Sequence, residues 1–198
     1  MIEVELKAVV DDLDVRRHRV ESAAGRLVFM GRLEDRRYDR ADRSLSASDC
    51  VLRVRVYRPP SGSVTASLDW KGPTSYDGGY KRREERSTRV ADAESLAGIL
   101  EELGYVVTMA IDRDIWQYEL FDAVVRFERY PCMDDLVEVE GSPEAIERAI
   151  QALGLERSAF SAERLGRFVQ RFEARTGRRS ALSVAALEGS VRYDADDA

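Results

Sequence analysis

Charged and apolar residues alternate along this chain in a series of short segments, and each segment reads as a strand with one charged face. Glu3 to Ala8 opens the series, with Glu3, Glu5 and Lys7 pointing one way and Ile2, Val4 and Leu6 the other. A long strand is predicted over 26–39, followed by a polar loop from Arg40 to Asp49. Val51 to Arg58 sets Arg53 and Arg55 opposite Leu52, Val54 and Val56. Past the turn Pro59-Pro60-Ser61-Gly62, residues 63–71 run back as the second arm of a hairpin, where Thr65, Ser67, Asp69 and Lys71 share a face. Beyond a loop over 72–79, Tyr80 to Val90 places Lys81, Arg83 and Glu85 on one side. Tyr105 to Leu120 reads as one long strand containing Arg113. Residues 123–130 carry Arg126 and Glu128 on one face, and Leu136 to Gly141 carries Glu138 and Glu140 on one side.

Helical spacing interrupts this series. Residues 11–24 open with Asp11-Asp12 and stop at Gly25; residues 92–103 place Leu96, Ile99, Leu100 and Leu103 on one stripe and end at Gly104. Residues 142–152 have Ser142 as cap and Pro143 at the first position, and residues 161–176 form a further helix ended by Gly177. Residues 1–177 are expected to be one domain, and 178–198 a mobile tail. Eight strand-like segments, joined mostly by turns with helices inserted, predict an α+β fold whose antiparallel sheet closes or nearly closes.

The usual destination of a charged strand face is solvent. Two features argue for the inside instead. The helices at 11–24, 92–103 and 142–152 offer apolar stripes that can cover the outside of a barrel. The charged faces are also sorted: Glu3, Glu5, Glu138 and Glu140 are acid pairs at the two ends of the strand order, with Lys7, Arg53, Arg55, Lys71, Lys81, Arg83 and Arg113 on the strands between. Only three of the 31 basic residues are lysines, Lys7, Lys71 and Lys81, and all three fall on these faces. Arginine is a planar fork and lysine a compact point charge, so a chain that uses arginine nearly everywhere keeps lysine where the fork will not do. An inward set of both signs has a chemical use: bases neutralise a polyanion, and clustered carboxylates hold a hard divalent cation that bridges phosphate oxygens.

Composition narrows the alternatives. The 198 residues are 44% hydrophobic and 34% charged, as in a soluble globular domain. The net charge of −6 argues against a dedicated nucleic-acid binder. No apolar run approaches the ~18–20 residues of a membrane span, and Met1 to Lys7 lacks the basic-then-apolar pattern of a secretory signal, so a cytoplasmic protein is expected. Two cysteines, Cys50 and Cys132, make neither a disulfide framework nor a zinc site. His18 is the only histidine and reads as a surface residue, which excludes any two-histidine mechanism. Trp70 and Trp116 read as exterior packing.

The motif Glu3-Val4-Glu5-Leu6-Lys7 resembles the Glu-x-Glu-x-Lys signature that opens CYTH-domain proteins, the triphosphate tunnel metalloenzymes. Leu52-Arg53-Val54-Arg55 resembles the family's Leu-Arg-x-Arg strand, Trp70-Lys71-Gly72-Pro73 its strand ending in lysine, and Arg83-Glu84-Glu85 its Arg-x-Glu region. Arg113 fits the late basic strand, and Glu138-Val139-Glu140 fits the closing Glu-x-Glu strand. The correspondence covers roughly residues 2–141. It implies an eight-stranded antiparallel β-barrel around a charged tunnel, with helices outside and at the C-terminus. It also implies metal ligation by Glu3, Glu5, Glu138 and Glu140, joined by Glu85 and Glu128, with Mg²⁺ or Mn²⁺ as cofactor. Phosphate contacts would come from Lys7, Arg53, Arg55, Lys71, Lys81, Arg83 and Arg113, and Lys7 or Glu5 would orient or deprotonate a water. The activities implied are hydrolysis of a triphosphate or, alternatively, cyclisation of ATP as in class IV adenylyl cyclases; non-catalytic polyphosphate or nucleotide binding is the third reading. The partner expected is a small triphosphate, with no nucleic acid or membrane, and the chain a monomer or homodimer. Three positions depart from the family pattern. Ser87 stands where a second acid often follows Glu85, Glu128 where the acid is usually Asp, and Ile111 where the late strand often has a further base.

Overall fold

The computed structural model describes residues 2–191. Its strands are β1 (Ile2–Val9), β2 (Arg26–Arg40), β3 (Val51–Arg58), β4 (Thr65–Lys71), β5 (Ser75–Asp77), β6 (Tyr80–Val90), β7 (Tyr105–Leu120), β8 (Ala123–Arg129) and β9 (Leu136–Glu140). The helices are α1 (Leu13–Ser22), α2 (Ser44–Ala47), α3 (Ala93–Glu102), α4 (Pro143–Leu153), α5 (Leu165–Thr176) and α6 (Val184–Leu187). The sheet runs β1-β9-β8-β7-β2-β3-β4-β6, and β6 pairs back onto β1, so eight antiparallel strands close into a barrel. The short β5, inside the expected 72–79 loop, folds onto β6 through the pair Asp77↔Tyr80. Closure removes both sheet edges from solvent.

The alternation sorts faces as the spacing predicts. Val4, Leu6 and Ala8 of β1 point outward with Val125 and Phe127 of β8 and Val137 and Val139 of β9, and α1 and α4 cover them through Leu13, Val20, Ile146, Ile150 and Leu153. On the other side, Leu100, Leu96 and Ala97 of α3 pack on Val54, Leu52 and Leu68. Helices α1, α3 and α4 start where a cap satisfies their first amides: Asp12 accepts from Asp14 and Val15, Asp92 from Glu94 and Ser95, and Ser142 from Ala145. Gly154 and Gly177, both at φ 67°, end α4 and α5 in the left-handed conformation glycine adopts without strain.

A second core closes one end of the barrel. Met109 and Ile111 share the inward face of β7 with Arg113, and pack with Tyr130 and Leu136 against Leu165, Phe168 and Val169 of α5 and against Leu182. The apolar Ile111 thus holds the plug. Part of the expected tail, Ala181 to Ser183, is buried at this end. Leu182 and Ser183 are fully buried, Ala181 exchanges backbone hydrogen bonds with Cys132, and the Leu182 carbonyl accepts from the Asp112 amide at 2.7 Å. The short apolar run Ala181-Leu182 was too brief to stand out by periodicity. Residues 192–198 lie outside the described residues. The last long helix starts at Leu165 rather than 161, because Ser161 instead pairs its backbone with Lys7. No described helix is long and apolar enough to cross a membrane.

Candidate functional site

The inward faces converge on one cavity of about 170 Å³. Lys7 and Glu5 of β1, Arg53 and Arg55 of β3, Lys71 of β4, and Lys81 and Arg83 of β6 line it. Arg113 of β7, Glu128 of β8 and Glu138 of β9 complete the predicted residues on its wall. Glu3, Glu85 and Glu140 do not reach the wall, but Glu3 and Glu85 bond to residues that do.

Barrel closure creates the densest part of the site. β1 meets β9 with Glu5 opposite Glu140 and Lys7 opposite Glu138, and meets β6 with Glu3 opposite Arg83 and Glu5 opposite Lys81. The two acid pairs, from the first and last strands of the chain, thereby become neighbours. Lys7 Nζ donates to Glu5 Oε1 at 2.7 Å and also pairs with Glu138. Lys81 Nζ donates to the same Glu5 oxygen at 2.5 Å, and Lys71 Nζ lies 2.6 and 2.5 Å from the two oxygens of Glu3. All three lysines sit at this acidic seam. Burial pushes the Glu5 carboxyl up, but Lys7, Lys81 and Lys71 outweigh it and hold the group well below the usual range.

A second cluster is arginine-rich. Asp35 of β2, 1% exposed, faces Arg55 Nε at 2.9 Å, Arg113 Nη1 at 3.1 Å and Arg53 Nη1 at 3.6 Å. Burial opposes its ionisation, and Arg55, Arg113 and Arg53 more than reverse that. Arg113 also donates to Glu128 at 2.8 Å, and the Tyr130 hydroxyl donates to the other Glu128 oxygen at 2.5 Å. The Glu128 carboxyl, despite its burial, is drawn down to about 2 by Arg113 and Arg126. Glu85 lies 3.5 Å from Lys71 and 3.6 Å from Arg53. Arg83 is aimed by backbone carbonyls, donating to Gly72 and Asp49 at 2.7 Å each.

Asp35, Asp69, Arg37 and Arg126 were not among the predicted site residues. Arg126 was legible, since it shares its strand face with Glu128 and in the fold pairs with Glu138. Asp69 was equally legible, on one face with Lys71. Asp35 and Arg37 lie in Glu34-Asp35-Arg36-Arg37, where charges fall on both faces and the alternation carries no signal. Arg37 lines the cavity with Arg53 as its cross-strand neighbour, and burial and the charge of Arg53 bring its guanidinium down to about 10. His18 is exposed, and Cys50 and Cys132 are half-buried free thiols.

The donor chemistry at the β1–β9 seam suits a hard divalent cation, which takes oxygen ligands. Glu3, Glu5, Glu138 and Glu140 all face inward from two adjacent strands. Glu140 forms no ion pair with any described residue, and its carboxyl is pushed up by burial and then by the charge of Glu3. A carboxylate crowded by other carboxylates is what a cation would relieve. With the side chains as they stand, no three acidic, histidine or cysteine residues among those described converge into a coordination sphere. The lysines pair with Glu3, Glu5 and Glu138 instead, so a cation held by these acids would have to displace ammonium groups.

Lys81 supplies a measurable signature of this seam. Burial lowers its ammonium to about 8, against the ordinary 10.5, with Glu5 offsetting only part. Between these two values the folded state binds fewer protons than the unfolded one, so this group favours folding increasingly as pH rises through 8 toward 10.5. The melting temperature of the wild type is expected to rise relative to Lys81→Met between about pH 7.5 and 9.5. Parallel profiles for the two proteins would place the lysine charge in solvent.

No family model matches the chain, and no curated protein matches it. Solved structures do. A candidate adenylate cyclase from Vibrio parahaemolyticus superposes with a TM-score of 0.73 at 19% identity, covering 86% of this chain and 98% of that one. A Pyrococcus horikoshii protein matches with a TM-score of 0.69 at 22% identity over 89% of this chain and 99% of its own. A candidate adenylyl cyclase from Hippeastrum, described as having a dominant triphosphatase activity, matches with a TM-score of 0.60 at 14% identity, over 92% and 98%. The chain has the fold of these proteins, the closed antiparallel barrel that the resemblance to CYTH-domain proteins implied.

Proposed function

We propose that the chain is a metal-dependent hydrolase of a triphosphate, inorganic or organic, bound in the barrel. The observation that carries this reading is the wall itself: Lys7, Lys71, Lys81, Arg37, Arg53, Arg55, Arg83 and Arg113 face one interior cavity from six strands. Most of these cations pair with Glu3, Glu5, Asp35, Asp69, Glu128 or Glu138, and a triphosphate would offer the same cluster of ammonium and guanidinium donors several anionic oxygens at once. In a triphosphate complex the arginines contact the non-bridging oxygens through paired N–H groups. They absorb the charge that develops as the terminal phosphoryl group is transferred. Mg²⁺ or Mn²⁺ would be held by Glu3, Glu5, Glu138 and Glu140, and would neutralise phosphate charge there. Glu5 would orient a water and take its proton, with the Lys7 ammonium bonded to it as the neighbouring donor.

The test is phosphate release from tripolyphosphate by catalytic amounts of protein, with Mg²⁺ and with Mn²⁺. Binding is read separately: tripolyphosphate at a hundred times its Kd should stabilise the fold by about 2.7 kcal/mol, roughly 5–10 °C in melting temperature for a chain of this size. An unmoved melting curve, with and without metal, overturns the tunnel reading. A second reading, cyclisation of ATP, is supported by the described cyclase candidates among the structural neighbours. Analysis of the products formed from ATP separates cyclic AMP from ADP and AMP.

A further inference from the structure

Arg53 lines the cavity, but its anchor comes from outside the cavity wall. Asp69 of β4 lies in register between Arg53 of β3 and Ser87 of β6. Its Oδ2 accepts from Arg53 Nε at 3.2 Å and from Nη2 at 2.9 Å, and its Oδ1 accepts from the Ser87 hydroxyl at 2.6 Å. Asp69 is 3% exposed and Arg53 is 7% exposed. One oxygen thus takes the Nε–Nη2 edge of the guanidinium while the serine fixes the other oxygen. The plane of Arg53 is set, and its Nη1 lies on the side of Asp35, 3.6 Å away. Arg53 and Ser87 draw the Asp69 carboxyl below its ordinary range against the push of burial, so the anchor stays charged.

We infer that Asp69, with Ser87, is a positioning device that fixes the Arg53 guanidinium for phosphate. The acid need not stand on β4. Arg53 Nη2 already comes within 3.6 Å of Glu85 on β6, so a longer carboxylate at position 87 can reach the same guanidinium. The serine and the acid are register partners, and exchanging them keeps the hydrogen bond across the β4–β6 ladder.

The inference rests on the tunnel binding a polyphosphate, and the experiment separates the two. Binding of inorganic tripolyphosphate is measured by calorimetry without divalent cation, for wild type, Asp69→Ser, Ser87→Glu and the double exchange D69S/S87E, each checked for a cooperative melt. Asp69→Ser is expected to raise Kd about tenfold, and the double exchange to return it to within about threefold of wild type. In turnover with metal, KM should follow the same order while kcat changes less, since Asp69 touches no substrate. A purely structural role would lower the melting temperature of Asp69→Ser and of the double exchange without this restoration. Wild type that binds no tripolyphosphate, either in this assay or with Mg²⁺ added, overturns the tunnel reading and the inference with it. Wild type that binds, with Asp69→Ser equal or tighter, or with no recovery in a folded double exchange, overturns the inference alone.

Discussion

Lys7→Arg should lose most of the turnover although it keeps the charge. Lys7 Nζ is wedged between Glu5 of its own strand and Glu138 directly across the β1–β9 ladder, with its side chain 10% exposed. A compact ammonium fits between two carboxylates from adjacent strands, whereas a planar guanidinium needs a broader seat and drives the two acids apart. These acids are also proposed to hold the metal, so the displacement acts on the reacting groups. Misplacement by about an ångström costs on the order of 10²-fold in rate. Lys71→Arg, in the same seam against Glu3, is expected to behave alike. Rates of both variants under saturating metal decide the matter. Near-wild-type turnover would show that only charge is needed, and the scarcity of lysine would then carry no functional meaning.

The second large effect is on stability. Asp35→Ala removes the one carboxylate shared by Arg53, Arg55 and Arg113 and leaves three guanidinium groups close together in the barrel. Breaking a buried ion pair from one side costs about 3–5 kcal/mol, which for a domain of this size is a fall of roughly 6–20 °C in melting temperature. Tripolyphosphate should return more of that loss than it adds to wild type, because a phosphate can occupy the place of the missing acid among the arginines. Thermal melts of both proteins with and without tripolyphosphate test this. A variant as stable as wild type would mean that solvent, rather than Asp35, balances these charges.

The two residues at the centre of these predictions differ in how far the sequence reveals them. Lys7 lies on a clean alternation with Glu3 and Glu5, and strand geometry alone puts all three on one face. The same period-2 logic assigned Arg53 with Arg55, Lys81 with Arg83, and Glu138 with Glu140, and the helix stripes told which faces would be covered. Local geometry is enough for this, because neighbours two apart on a strand share a face whatever the fold. Asp35 was invisible by that route, since its strand is charged on both faces and only closure decides which is inside.

Tertiary structure alone decided three further matters. The pairing of β1 with both β9 and β6 made neighbours of acids more than 130 residues apart and set Lys7, Lys71 and Lys81 among them. The packing of α5, with Leu182 from the expected tail, on Met109 and Ile111 closes one barrel end. The β3–β4–β6 register gave Arg53 its acid from Asp69, held by the serine that stands where an acid was expected. Each depends on which strands lie side by side and in what register. A periodic pattern encodes the face of a residue but not its partner across the ladder, and it is the partner that fixes charge, orientation and chemistry.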